Sequence, residues 1–298
     1  MSAISESTDS AGFEILAPAR QSLPLVLASP HSGRRYPARF LRQARLRQAA
    51  LRRSEDSFVD ELMASAPARG APLLRALFPR TYVDVNREPF ELDPGMFADA
   101  LPGYVNSTSP RVRSGLGTIP RVAASGAEIY GERLRYAEER HRIRHCYLPY
   151  HKALRGLLRD TRARFGYAVL LDCHSMPSQA AKAVGGAAAR DGLKGVVIVL
   201  GDCHGTTCSP LLTGRAEQVL RDLGYTVTRN RPYAGGFTTK YYGRPNTGLH
   251  ALQIEINRAL YMDEGRLKRG PRLADLATDL GRLITALGET ELMPRAAE

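Results

Sequence analysis

The 298-residue chain predicts an α/β fold, with a mainly parallel or mixed central sheet and helices on both faces. Three observations carry that expectation. Short apolar runs recur at LPLVLA (23–28), YAVLL (167–171), KGVVIVLGD (194–202) and HALQIEIN (250–257). Segments with helical periodicity separate them, and strands joined by helices belong to sheets covered on both faces. No internal repeat interrupts the alternation.

Taken in order, residues 1–12 are polar and expected to be a disordered tail, which leaves 13–290 as one α/β hydrolase-like domain. The strand at 23–28 runs into a turn holding His31, followed by helical patterns at about 40–53 and 55–66. PLLRALFP and TYVDVNRE, within 72–88, read as apolar or alternating strands. Residues 89–130, rich in Gly, Pro, Ser and Asn, form a loop-rich excursion of the kind that is often functional in a compact domain. The pattern is helical again over 131–165, where Pro149 marks a break or kink. Strands at 167–174, 194–202, 225–230 and 250–257 complete the sheet, with a helix near 210–223. A Gly/Tyr-rich loop spans 233–248, and a helix at about 272–287 closes the domain.

Composition narrows the class without choosing the chemistry. At 43% hydrophobic residues the chain can bury a large core, and no run approaches the roughly 18 to 20 apolar residues of a membrane span. The polar start lacks the charged and apolar regions of a secretory leader, so the expected location is cytoplasmic, with no membrane partner. Cys146, Cys173, Cys203 and Cys208 contain no CxxC pair, and strand alternation points Cys173 away from its neighbours Asp172 and His174. The net charge of +12 is almost all arginine and spread along the chain. Its densest basic run, RQARLRQAALRR (42–53), has no interleaved aromatics for stacking bases. Such a field suits a small anionic substrate better than nucleic acid. A homo-oligomer is compatible with the sequence.

Two histidine segments, SPHSG (29–33) and DCHSMP (172–177), each follow an apolar strand. Ligands delivered at the carboxyl ends of strands meet in the crevice where open α/β sheets bind. His31 and His174 are therefore candidate metal ligands, with Asp172 either orienting a ring or capping a turn. A catalytic zinc site needs a third protein ligand. SEDSFVDEL (54–62) offers Glu55, Asp56, Asp60 and Glu61, with Ser54 as a helix N-cap. Asp56 is the preferred ligand. Glu255, alone among apolar neighbours in QIEIN, can serve as a general base, or can pair with Arg258 or Arg87. Asn86 and Arg87 can grip a carboxylate, Arg87 through its planar fork, unless Arg87 pairs with Asp84. Arg121, in GLGTIPR, and the 233–248 loop carrying Tyr242 can supply further anion contacts or a lid, and His151 sits on a helix face as a packed or supporting residue.

The blocks SPHSGRRYP (29–37), EDSFVDEL (55–62), YVDVNREP (82–89), GLGTIPR (115–121), YHKAL (150–154), LLDCHSMP (170–177), LGDCHGTTC (200–208) and ALQIEINRALYMDE (251–264) together resemble the N-formylglutamate amidohydrolase family. The likeness runs in order over about 23–265. It implies a fold similar to zinc carboxypeptidases and aspartoacylase-like deacylases, and one divalent metal, Zn2+ by expectation. It also implies hydrolysis of a small N-acyl amide, N-formyl-L-glutamate first among them. His31 and His174 match the metal ligands, Glu255 the water-activating base, and Asn86–Arg87 the carboxylate clamp. The wider His-x-x-Glu pattern reads His31-Ser-Gly-Arg34 here, so Asp56 takes the second ligand position by inference. Cys203–His204 departs from the family's usual Arg-aromatic block, which makes His204 an added candidate. The rival readings are a deacylase or peptidase acting on another N-acyl amino acid or cell-wall peptide and, from a different class, a basic nucleic-acid-binding module.

Overall fold

The computed structural model describes residues 12–183 and 198–292. The expected tail lies outside the described residues except for Gly12, as do positions 194–197 of the third apolar run. Seven strands form a mixed sheet in the order β1-β3-β2-β4-β7-β5-β6. They are β1 (Phe13–Leu16), β2 (Leu25–Ser29), β3 (Leu73–Ala76), β4 (Ala168–Met176), β5 (Ile198–Gly201), β6 (Val227–Arg229) and β7 (Leu249–Asn257). Within this sheet only β1–β3 and β5–β7 pair antiparallel among the described strands, so it is mainly parallel, as predicted.

The helices are α1 (Ala38–Gln43), α2 (Gln48–Arg52), α3 (Val59–Leu62), α4 (Pro110–Arg113), α5 (Tyr136–Arg142), α6 (Leu148–Phe165), α7 (Ser178–Ala183), α8 (Pro210–Asp222), α9 (Phe237–Tyr242) and α10 (Leu273–Gly288). The central strands β4 and β7 pair in register from Ala168↔Leu249 to Met176↔Asn257. Their period of two separates the faces. Val169, Leu171 and Cys173, with Leu252, Ile254 and Ile256, join a core completed by α3, α8 and α10. Ala168, Leu170 and Ala251 pack on the other face against Tyr150, Leu154 and Leu158 of α6 and Val83, Val85 and Leu92 beside the excursion. Each fully buried aliphatic side chain contributes about 1.5–3 kcal/mol. Beyond Leu170 and Ala251 that second face turns polar, with Asp172, His174, Gln253 and Glu255 in successive outward positions, all buried.

Several elements differ from expectation for local reasons. The pattern at 40–53 splits into α1 and α2 because Ala44 is extended (ψ 130). The pattern at 55–66 shortens to the single turn α3, since Phe58 at its start is left-handed (φ 68). Ser54 is accordingly not a helix cap; its hydroxyl accepts from Ala124 N at 2.9 Å. TYVDVNRE is not a strand. Asp84 N donates to Thr118 O at 2.8 Å, and Asn86 N donates to the Asp84 carboxylate at 2.9 Å. Side-chain bonding of this kind competes with ladder pairing. Pro149 sits in the first turn of α6, directly after a π-helical turn at Ile143–Tyr147, where its missing N–H is tolerated. The short edge strand β1 and the helix α9 inside 233–248 carried no clear periodicity. No helix among the described residues is long and apolar enough to cross a membrane.

Candidate active site

His31 stands two residues beyond β2, and its loop is laced to the Asp56 segment. Ser32 Oγ donates to Asp56 O at 3.0 Å, and Asp56 N donates to His31 O at 3.0 Å. His174 lies within β4, on the polar face. His31, Asp56 and His174 are 1%, 1% and 3% exposed. Asp56 Oδ2 lies 3.3 Å from His31 Nδ1 and 3.2 Å from His174 Nδ1, and the three donor atoms fall within 4.8 Å of one another.

The outer atoms of all three groups are engaged. His31 Nε2 meets Asp84 Oδ1 at 2.8 Å. His174 Nε2 faces Asp172 Oδ1 at 3.0 Å, off the direct hydrogen-bond line, and Asn86 Nδ2 at 3.4 Å. Arg258 Nη2 donates to Asp56 Oδ1 at 3.0 Å. Carboxylates behind ligating imidazoles, and a donor behind a ligating carboxylate, are the usual supports of a metal site.

The donor set fits a small divalent cation. With its Nε2 proton directed at Asp84, a neutral His31 turns the Nδ1 lone pair toward Asp56 Oδ2, acceptor against acceptor. A cation or a second proton between them resolves the conflict. Tetrahedral ligands at about 2.0–2.1 Å from zinc stand about 3.3–3.4 Å apart, close to the two nitrogen–oxygen separations found here. Arg34, at the position where the wider pattern has Glu, is turned away to Asp60 and Glu61 and lies over the Phe58 ring.

Charges around the cluster are strongly coupled. Burial pushes the Asp56 carboxyl up, but hydrogen bonds from His174 and His31 outweigh it and hold it well below the usual range. Burial of Asp84 is likewise outweighed by Arg87, Arg80 and His31. His174 is drawn well above the ordinary imidazole value, its burial overcome by Asp172 and Asp56. Glu255, opposite His174 in the β4–β7 register, is pushed up to about 7, first by burial and with Asp56 adding to it, while His174 pulls it back. Gln253 Nε2 donates to Glu255 Oε1 at 3.0 Å, and Gln253 Oε1 accepts from Gly236 N at 2.8 Å, tying the Glu255 carboxyl to the 233–236 turn.

A cavity of about 480 Å3 opens over these groups, walled by His31, Asp56, His174, Glu255, Asn86 and Arg87 together with Arg80, Arg111, Tyr233 and Arg258. Asn86 is fixed by Thr238 N, which donates to its Oδ1 at 2.8 Å. A Cβ on Gly236 would stand 2.3 Å from the Asn86 amide, so this approach requires glycine. Arg87 donates from Nε to Leu116 O and from Nη1 to Asn86 O, both at 2.7 Å, which leaves Nη2 at 3.5 Å from Asp84. The anticipated Arg87–Asp84 contact thus coexists with a place in the cavity wall. Arg258 serves Asp56 and not Glu255.

Four candidates fall elsewhere. Arg121 pairs with Asp93 at 2.9 Å and Glu128 at 3.5 Å and does not line this cavity, because the excursion turns it outward. Tyr242 is turned into the core by α9, its hydroxyl bonded to His151 Nδ1 at 2.8 Å; Tyr233 takes the place at the rim. His151 lies behind the cavity and donates from Nε2 to Val85 O at 2.9 Å, supporting the Asn86 turn. Burial pushes it down to about 4, so it is neutral. His204 is exposed, on a left-handed turn (φ 59). Asp84, Arg80, Arg111 and Gln253 were not singled out as site residues; the polar alternation of VDVN and QIEIN was the signal available for Asp84 and Gln253.

The sequence model of the family described as N-formylglutamate amidohydrolase matches residues 23–262. An N-formylglutamate deformylase of Pseudomonas aeruginosa is 31% identical over 255 residues, covering 84% of this chain and 86% of that protein. Its counterpart in Pseudomonas putida is 31% identical over 247 residues, covering 81% and 83%. The crystal structure of an N-formylglutamate amidohydrolase from Ralstonia eutropha superposes with a TM-score of 0.86 at 39% identity, covering 94% of this chain and 98% of that one. A gene product of Agrobacterium tumefaciens shares the fold, with a TM-score of 0.65 at 19% identity. With the family model spanning most of the sequence, and these relatives agreeing with it, the chain belongs to the N-formylglutamate amidohydrolase family.

Proposed function

We propose that the protein is a metal-dependent amidohydrolase that cleaves N-formyl-L-glutamate to formate and L-glutamate, with His31, Asp56 and His174 holding the metal, Zn2+ in our reading. The observation that carries it is the meeting of this buried donor trio with Glu255 at the floor of one cation-lined cavity. The metal's contribution is Lewis acidity, polarising the formyl carbonyl and making water a better nucleophile. Glu255, in its ionised form, accepts a proton from the water whose oxygen bonds to the formyl carbon. It then passes that proton to the amide nitrogen as the C–N bond breaks. Its raised pKa suits both halves of the transfer. Asn86 and Arg87 hold the α-carboxylate and so fix the amide against the base.

The test is metal analysis of the purified protein together with formate release from N-formyl-L-glutamate and from N-acetyl-L-glutamate. Stoichiometric zinc and a preference for the formyl substrate are expected. Cleavage of N-acetyl compounds in preference would favour the broader deacylase reading, and activity that survives removal of the metal would overturn the mechanism.

A further inference from the structure

N-formyl-L-glutamate carries two carboxylates, and the clamp at Asn86–Arg87 accounts for one. Four arginines line the cavity: Arg80, Arg87, Arg111 and Arg258. Arg258 is committed to Asp56 Oδ1, Ser175 Oγ and Arg53 O. Arg80 is paired with Asp84 at 2.8 Å. Arg87 has only its Nη2 side to offer. The side chain of Arg111, alone of the four, makes no hydrogen bond or ion pair among the described residues.

Its backbone is nonetheless fixed. Arg111 O accepts from Leu116 N at 2.8 Å, and Leu116 O accepts from Arg87 Nε at 2.7 Å, so one residue joins the backbone of the first arginine to the head of the second. Ser109 caps the short helix α4, accepting from Val112 N at 3.0 Å and donating to Glu91. Arg111 is also near enough to act on the clamp: burial depresses Arg87 in spite of Asp84, and the like charges of Arg80 and Arg111 add to the effect. An unpaired guanidinium at the cavity wall, its backbone anchored beside the clamp, is placed to receive an anion.

We propose that Arg111 is the specificity residue for the side-chain carboxylate, so that Arg87 and Arg111 divide the two ends of an acidic N-formyl amino acid between them. This rests on the amidohydrolase reading above. Because Arg111 is exposed, a neutral side chain would leave it solvated at little cost. Selectivity therefore comes from attraction, and it weakens as salt rises.

The experiment compares kcat/KM of the wild type and of Arg111→Gln on N-formyl-L-glutamate and its neutral counterpart N-formyl-L-glutamine. The variant is expected to lose about 5- to 30-fold on the glutamate substrate, a charged hydrogen bond discounted for solvent. It should stay within about twofold on glutamine and lose most of its salt dependence. Titration of N-formyl-L-glutamate onto metal-stripped protein should weaken by a similar factor, independent of turnover. Equal losses on both substrates, or no loss on either, would overturn the assignment. A wild type that releases formate from neither substrate would instead overturn the functional reading beneath it.

Discussion

On one wall of the cavity, His174 and Glu255 occupy opposed positions of two fully paired strands, with His31 just past the end of a third. On the other wall, Asn86 and Arg87 come from turns and Arg111 from the single-turn helix α4, and the bonds that hold them run between loops, such as Asp84 N to Thr118 O and Arg87 Nε to Leu116 O. The strand wall is held by continuous ladders and a core on its far side, whereas the loop wall is held by single hydrogen bonds. Bond making needs donors fixed to a fraction of an ångström, while choosing a substrate needs only a charge in the right place. The difference suggests that the sheet carries the reaction and the excursion carries the selection.

Substitutions on each wall test that division. The largest effect is expected from His174→Ala, which removes a donor of the trio: metal content and turnover should fall together while the far-ultraviolet circular dichroism is preserved. Stoichiometric metal in this variant would remove His174 from the ligand set. Next, Glu255→Gln should retain its metal and lose two to four powers of ten in kcat. Because the base must be ionised, wild-type kcat/KM should fall as pH drops below the Glu255 pKa. That value is about 7 without a metal, and a bound cation draws it lower. The acid limb should therefore lie below 7 and be absent from the variant. If Glu255→Gln loses the metal instead, the roles of Glu255 and Asp56 must be exchanged.

On the loop wall, Arg87→Lys keeps the charge but not the fork. It should cost about 1.5–3 kcal/mol in kcat/KM, and equally for N-formyl-L-glutamate and N-formyl-L-glutamine, whose α-carboxylates are the same. A loss confined to one substrate would mean that Arg87 reads the side chain. The smallest effect is expected behind both walls. Tyr242→Phe deletes the hydroxyl that donates to His151 and should lower stability by about 0.5–1.5 kcal/mol in denaturant titration, with substrate selectivity unchanged. A change in selectivity would show that the loop wall reaches down to α9.

What could be read from the sequence follows the same boundary. The runs before His31 and His174, and the one around Glu255, were legible because a polar residue at or within an apolar strand has few structural uses. Asp56 was legible only as one of four acids, and its selection depends on the loop that binds its backbone to His31 and Ser32. Asn86 and Arg87 are candidates on chemistry alone and do line the cavity, but on turns and not on the expected strand. Alternating VDVN looks like a strand, and nothing local announces that Asp84 will bond its own neighbour and His31. Arg121 was the arginine named in the excursion, whereas Arg111 lines the cavity, because a segment without period does not reveal which arginine turns inward. Tyr242 was the tyrosine named in the 233–248 loop, but the short helix α9 turns it into the core and leaves Tyr233 at the rim.

The continuous register of β4 against β7 limits how this molecule can vary. One residue inserted ahead of Asp172 would shift every later side chain in the strand by one place, putting the Cys173 thiol where His174 faces the cavity and His174 where Ser175 meets Arg258. The same holds for an insertion just ahead of Glu255. Changes of length are thus shut out of these strands yet admissible in 89–130, where backbone polar groups bond to other loops. A lineage can then lengthen or trim its excursion and change its diet of substrates while inheriting the reaction centre intact.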